Sequence, residues 1–252
     1  MKMAKIFDTH SHYDDIKFDK VRDELLSSLE SRNVGKVITC GVDMPSSLRS
    51  KKLAEKYDYI YFAAGIHPEN MDEVCCTDFI KEMSGHEKCV AVGEIGLDYY
   101  FDSSSAEKQK QVFEKQLILS KELNLPVIVH DRDAHADTLE LLKKHRPKGV
   151  VHCFSGSPET AKEIVSLGMY IGIGGVITFK NAKRLPEVAK ELPLNRILLE
   201  TDCPYLAPEP FRGKLCNSAM IEYTAKRLAE IRNISYEEVL EATFENAVNL
   251  FF

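Results

Sequence analysis

Eight short apolar runs punctuate this chain, beginning near Lys5, Lys36, Tyr59, Cys89, Pro126, Gly149, Met169 and Arg196. Most are almost continuously apolar, as strands buried on both faces should be, and most are followed by a longer amphipathic stretch. This alternation predicts βα units and a parallel sheet, and eight strands are enough to close a barrel. Residues 106–124 place Val112, Phe113, Gln116, Leu117 and Ser120 on one helical face, and Leu125-Pro126 stops that helix ahead of a strand. Pro45 and Ser157-Pro158 mark two further helix starts. No linker, internal repeat or low-complexity tract divides residues 1–252, although residues 203–217 carry three prolines and read as a long loop. The expectation is α/β class, a single (β/α)8 TIM-like barrel domain with its active site at the C-terminal ends of the strands.

The polar residues that break the pattern fall where those strands should stop. IFDTHSH (6–12), VAVGEIGLD (90–98), PVIVH (126–130), GVVHC (149–153) and RILLETD (196–202) each close an apolar run with acid or imidazole. A barrel gathers all its strand ends at one mouth, so these distant positions become neighbours. His10 and His12 alternate about Ser11 and point to one side of an extended chain, with Asp8 as a candidate partner for them. Glu94 sits in an otherwise apolar strand, where an unpaired carboxylate is costly. A metal removes that cost, and a carboxylate can offer one oxygen to each of two ions. His130 and His152 are placed equivalently after runs of Val and Ile, and Asp202 completes four imidazoles and two carboxylates from five strand ends. His67, in GIHP, suits a ligand, a proton donor or a substrate contact. His135 opens a helix, whereas His86 and His145 lie in polar segments and read as solvated.

Composition narrows the surroundings more than the chemistry. A formal net charge of −6 and the absence of Trp argue against a surface that coats nucleic acid, so any phosphate site must be local. The first ten residues, MKMAKIFDTH, lack an apolar leader core, and no run approaches the roughly 20 residues that span a bilayer. Seven cysteines, with Cys75 and Cys76 adjacent and no zinc-ribbon spacing, speak against a disulfide framework. The expectation is a cytoplasmic protein with no membrane contact and no obligate protein partner, in which Cys153 and Cys203 are packing residues.

FDTHSHYD, GIHP, GEIGLDYY, PVIVHDRDAHAD, HCFSG, LLETDCPYLAP and RGKLCN, in that order, make the chain resemble the TatD family of metal-dependent deoxyribonucleases. The resemblance spans essentially the whole chain and implies an amidohydrolase-type barrel. It carries metal-ligand roles onto His10, His12, Glu94, His130, His152 and Asp202, with Glu94 bridging, and it implies magnesium-supported cleavage at 3′ ends of single-stranded DNA. One departure follows RGK: family members often continue with Asn, another residue and Pro, where this chain reads Cys216-Asn217-Ser218-Ala219.

The chemistry expected of two divalent ions is attack on a phosphodiester by an activated water, with Glu94 and Asp202 catalytic and Asp202 shuttling the proton. The imidazole-rich ligand set also suits zinc, iron or manganese. His67, Arg132, Tyr99 and Arg212 are the candidate substrate contacts, arginine offering a bidentate grip on phosphate and Tyr99, Tyr100 or Phe179 a face for a base. DNA is the expected substrate, with RNA open. The alternatives are a small-molecule amidohydrolase or lactonase on the same barrel, and a catalytically silent metal-binding protein.

Overall fold

The computed structural model describes residues 4–73 and 77–252, so Cys75 and Cys76 lie outside the described residues. Eight parallel strands form one sheet in sequential order. They are β1 (Ile6–Ser11), β2 (Val34–Cys40), β3 (Ile60–Ala64), β4 (Cys89–Asp98), β5 (Val127–Arg132), β6 (Gly149–Val151), β7 (Tyr170–Ile173) and β8 (Ile197–Leu199). Helices α1 (Arg22–Leu29), α2 (Met44–Lys56), α3 (Asp78–Ser84), α4 (Tyr99–Asp102), α5 (Ala106–Glu122), α6 (His135–His145), α7 (Pro158–Ser166), α8 (Arg184–Glu191), α9 (Ile221–Arg232) and α10 (Tyr236–Phe251) complete the described elements, with short 3-10 turns. No described helix is long and apolar enough to cross a membrane, and none of the five described cysteines is in a disulfide.

Strand alternation sorts the core into two shells. Val127 and Val129, or Ile197 and Leu199, face the helices, while Ile128 and Leu198 between them join Phe7, Ile38, Ala63 and Val150 inside the barrel. Ala247 and Phe251 of α10 belong to that inner cluster, and Phe7 lies 5.7 Å from Phe244 and 6.3 Å from Phe251, ring centre to ring centre. Thus α10 plugs the N-terminal end of the barrel, leaving the C-terminal end as its open mouth. The same alternation lifts the next inward residues, His130 above Ile128, His152 above Val150 and Glu200 above Leu198, into that mouth.

Local signals start and stop the helices as their chemistry requires. Asp43 caps α2 by accepting from the Ser46 amide at 2.7 Å, with Pro45 in the first turn, and Ser157 caps α7 through the Thr160 amide at 3.2 Å. Helix α5 ends at Leu123 and Asn124, the latter at φ 52°, before Pro126. Its two buried glutamines reach back to the strand ends. The Gln109 side chain accepts from the Asp98 amide at 2.8 Å and donates to the Asp98 carbonyl at 3.0 Å. Gln116 clasps Ile66 likewise, at 2.8 and 3.0 Å, next to His67. One helix therefore fixes the backbone that presents two groups of the mouth.

Closing a barrel requires its first and last strands to satisfy each other. Here the seam is made beyond the ends of the regular ladder: the Asp202 amide donates to the His10 carbonyl at 3.0 Å and the His12 amide to the Cys203 carbonyl at 2.7 Å. The carboxylate of Asp8, fully buried, accepts across it from the Thr201 amide (3.0 Å), the Thr201 hydroxyl (2.7 Å) and the Ser218 hydroxyl (2.7 Å), and from the His10 amide at 3.3 Å. Ser218 stands in the segment that departs from the family pattern. Its amide donates to the Tyr13 hydroxyl at 2.9 Å, so this helix entry, capped by Asn217, is built into the seam. Asp8→Ala leaves several buried donors without an acceptor and is expected to destabilise the protein by roughly 3 kcal/mol. Urea unfolding measures this, and a loss under about 0.5 kcal/mol would show that the seam does not depend on Asp8.

Candidate active site

Five imidazoles and four carboxylates meet at the open mouth. Glu94, 3% exposed, stands at their centre with its two oxygens facing different partners. Oε2 lies 3.4 Å from His10 Nε2 and 3.3 Å from His12 Nε2. Oε1 lies 2.8 Å from His152 Nε2, 2.9 Å from His130 Nδ1 and 3.5 Å from His67 Nε2. Asp202 joins the first group, with Oδ1 3.6 Å from His10 Nε2 and 3.4 Å from His12 Nε2. The six residues expected as ligands are thus brought together, and they divide into two sets that share Glu94. Three overlapping groups, His10–His12–Asp202, His10–Glu94–His152 and His67–Glu94–His130, each hold ligand atoms close enough for one ion.

The imidazoles are oriented from behind. His12 Nδ1 donates to the Cys40 carbonyl at 3.0 Å, which directs Nε2 to the centre. His10 Nδ1 is 3.5 Å from the Cys40 thiol. Asp8, expected beside these rings, instead binds backbone and hydroxyl groups at the seam, because its side chain turns from the mouth toward Thr201. His67 differs from the other four: its Nδ1 accepts from the Glu69 amide at 3.2 Å, which leaves the proton of a neutral ring on Nε2. It therefore presents an N–H to Glu94, and donor chemistry suits it better than ligation.

Two carboxylates at this mouth carry no assigned role in the sequence reading. Asp98 Oδ2 is 3.0 Å from His130 Nε2, while its Oδ1 accepts from the Phe101 amide at 2.8 Å. The signal for it is the spacing Glu94, Gly96, Asp98 on one strand. Gly96 has φ 148°, and a Cβ there would strike the His130 carbonyl, so only glycine lets β4 bring both acids to one imidazole. Glu200 is fully buried below His152, accepts from the Cys153 amide through Oε1, and leaves Oε2 without a partner. A Cβ at Gly172 would occupy that oxygen's place. His152 Nδ1, also unpartnered, lies 3.8 Å from Glu200 Oε1.

Charge is concentrated here and balanced by proximity. Burial would raise Glu94, but the charges of His152, His10 and His67 outweigh it and hold the carboxyl well below its usual range. Asp202 is likewise kept low against burial by the hydrogen bond to His12 and by its imidazole neighbours. Burial would lower His130, yet its hydrogen bonds with Asp98 and Glu94 push it up to about 10. His10, buried against His152, falls to about 4, and burial pushes Glu200 up to about 8. Such a donor set, four imidazoles with Asp202 around a shared Glu94, fits divalent cations.

The mouth opens into a cavity of about 1020 Å³ lined by these groups and by Asp14, Asp15, Glu69, Asp131 and Asp133, against Arg49 and Arg132. Arg132 lies over the Tyr100 ring at 3.9 Å, and both line the cavity. Tyr99, the expected stacking face, is not in the lining; its hydroxyl donates to Asp137 at 2.7 Å, and Tyr100 takes that position. Arg212 lies 3.6 Å over Phe179, outside the lining. His145 is buried, 2.7 Å from Glu114, and His86 is half-buried against Phe62; neither is the solvated residue expected from its polar neighbours.

Comparison with known proteins agrees with this geometry. The family described as TatD related DNase matches residues 7–252. The metal-dependent hydrolase YabD of Bacillus subtilis (strain 168) is 43% identical over 98% of both chains. A putative deoxyribonuclease TATDN1 homolog of Vairimorpha ceranae is 37% identical, covering 98% of this chain and 95% of its own. The crystal structure of YJJV, a TatD homolog from Escherichia coli, superposes with a TM-score of 0.90 at 35% identity over 98% of each chain.

Asp98→Asn is expected to lower divalent-metal affinity about 10- to 100-fold by releasing His130, as measured by equilibrium dialysis. Unchanged affinity would leave Asp98 as a helix cap alone. Because His12, His130 and His152 are all held above their usual range, metal binding should release protons and weaken as pH falls. Calorimetry in two buffers of different ionisation enthalpy reads that release directly.

Proposed function

The chain belongs to the TatD family of metal-dependent hydrolases, and from that premise we propose that it is a deoxyribonuclease that hydrolyses phosphodiester bonds at the ends of single-stranded DNA. The observation that carries this reading is the divided Glu94 carboxylate, with one oxygen toward His10 and His12 and the other toward His130 and His152. That arrangement supports a pair of ions, held by His10, His12 and Asp202 on one side and by His130 and His152 on the other, with Glu94 common to both. Bound there, divalent ions would polarise a phosphoryl oxygen and acidify water.

The protein's own groups have separable tasks. Asp202 is kept ionised beside His12 and is partly open to the cavity, so it can accept a proton from water and return it to the departing oxygen. His67 offers an N–H from the opposite side of Glu94 and can hold a phosphate oxygen. Arg132, braced on Tyr100, reaches the same cavity with a planar guanidinium suited to a phosphate. Arg212 and Tyr99 lie outside the cavity lining, so in this reading neither touches the scissile phosphate. Magnesium, zinc, manganese and iron are all compatible with the donors, the imidazoles favouring zinc and iron and the carboxylates magnesium and manganese.

Five carboxylates around the rim favour a second reading, hydrolysis of a small neutral ester or lactone, since they repel a long polyanion. They also favour approach by a strand end over a continuous duplex. End-labelled single-stranded DNA, bis(4-nitrophenyl) phosphate and a panel of amides and lactones separate the two. The protein loaded with about two ions should shorten the strand, and Glu94→Gln should cost more than the ~10–100-fold typical of a residue outside the ligand set. Turnover of lactones or amides without any phosphodiester would overturn the nuclease reading, and Glu94→Gln turning over like wild type would overturn the bridge.

A further inference from the structure

A second cavity adjoins the first and differs from it in charge and polarity. It measures about 390 Å³ and lies between the segment that follows β6 and the segment that joins β7 to α8. Cys153 and Ser155 line both cavities, and Cys153 directly follows His152. The two spaces therefore meet within a residue of the ligand cluster. Phe154, Val176, Ala182 and Leu185 supply apolar walls, Asn181, Lys183 and Arg184 stand at an exposed edge, and no Asp or Glu lines it. The main cavity, by contrast, carries eight carboxylates.

Apolar walls with a few hydrogen-bonding groups at one edge match a flat heteroaromatic ring, whose faces are apolar and whose rim is polar. An aliphatic chain would leave the Asn181, Lys183 and Arg184 edge unused, and a sugar or free phosphate held at that edge would leave the apolar walls of Phe154, Val176 and Leu185 unfilled. Cys153 and Ser155 form the wall that the two cavities share, so a group tethered to a phosphate at the ligand cluster is the kind of group that lies within reach of this pocket. We infer that this pocket binds the nucleobase of the nucleotide esterified to the scissile phosphate, so that the enzyme selects strand ends that carry a base over abasic ones. The inference rests on the phosphodiesterase reading for the phosphate and on the pocket alone for the base.

Binding of deoxyadenosine 5′-monophosphate and of 2-deoxyribose 5-phosphate to the metal-loaded protein tests it by calorimetry. The two ligands share sugar and phosphate and differ by the base. The nucleotide should bind tighter by about ten- to a hundredfold, the range that one stacked base contributes. Ala182→Leu, which narrows the pocket from a half-buried loop position, should collapse that preference toward one. Val176→Phe repeats the test from another wall, and thermal melting confirms that each variant is folded. Equal binding of the two ligands by wild type, or a preference untouched in both folded variants, overturns the pocket assignment while leaving DNA cleavage intact. A base preference kept by a protein that cleaves no phosphodiester supports the pocket and sinks the nuclease reading, so the two failures are distinguishable.

Discussion

An ionised carboxylate buried beneath five imidazoles is the constraint on which this mouth is organised. Glu94 lies in the longest described strand, 3% exposed, and none of its described ion-pair partners is a Lys or Arg. A carboxylate in that position is tolerable only if imidazolium or metal faces it on every open side. Three of the five His around it are held by a second contact: His12 by the Cys40 carbonyl, His130 by Asp98, His67 by the Glu69 amide.

That constraint is met only because the barrel closes. His10 and His12 come from β1, Asp202 from beyond β8, and they approach because Asp8, Thr201 and Ser218 tie the first strand to the last. Helix α5 performs the same service at a different angle, its Gln109 and Gln116 setting the backbone next to Asp98 and His67. Polar residues buried far from water thus serve as fasteners for the groups of the mouth rather than as members of it. Fully satisfied, such networks specify one arrangement of the chain.

The two adjoining cavities divide the problem of recognition. In the proposed reading the acidic one concentrates cations and admits a phosphate where they sit, while the apolar one has no charge of that sign in its walls. A polyanion is discouraged everywhere except at the cluster. Selectivity for a strand end, in this view, comes from the sign of the rim, and selectivity among ends from the side pocket.

Eight strand positions, starting within two residues of those observed, were legible because a strand buried on both faces needs an unbroken apolar run and a helix stop before it. The gathering of His10, His12, Glu94, His130, His152 and Asp202 followed from parallel topology alone, since every such strand ends at the same mouth. Asp98 and Glu200 escaped notice because each ends a run in company with a stronger candidate, and only strand parity, adjusted by the φ of Gly96 and the missing Cβ of Gly172, turns them inward. Tyr99 and Tyr100 are adjacent and chemically alike, so the choice between them rests on the rotation of a four-residue helix. His145 reads as polar surface until Glu114, 31 positions away, is brought against it. Sequence determined which residues could share a mouth, because that depends on local period and chain direction; tertiary structure alone decided which of them face one another, because a side chain's partner is set by packing between segments that the chain does not join.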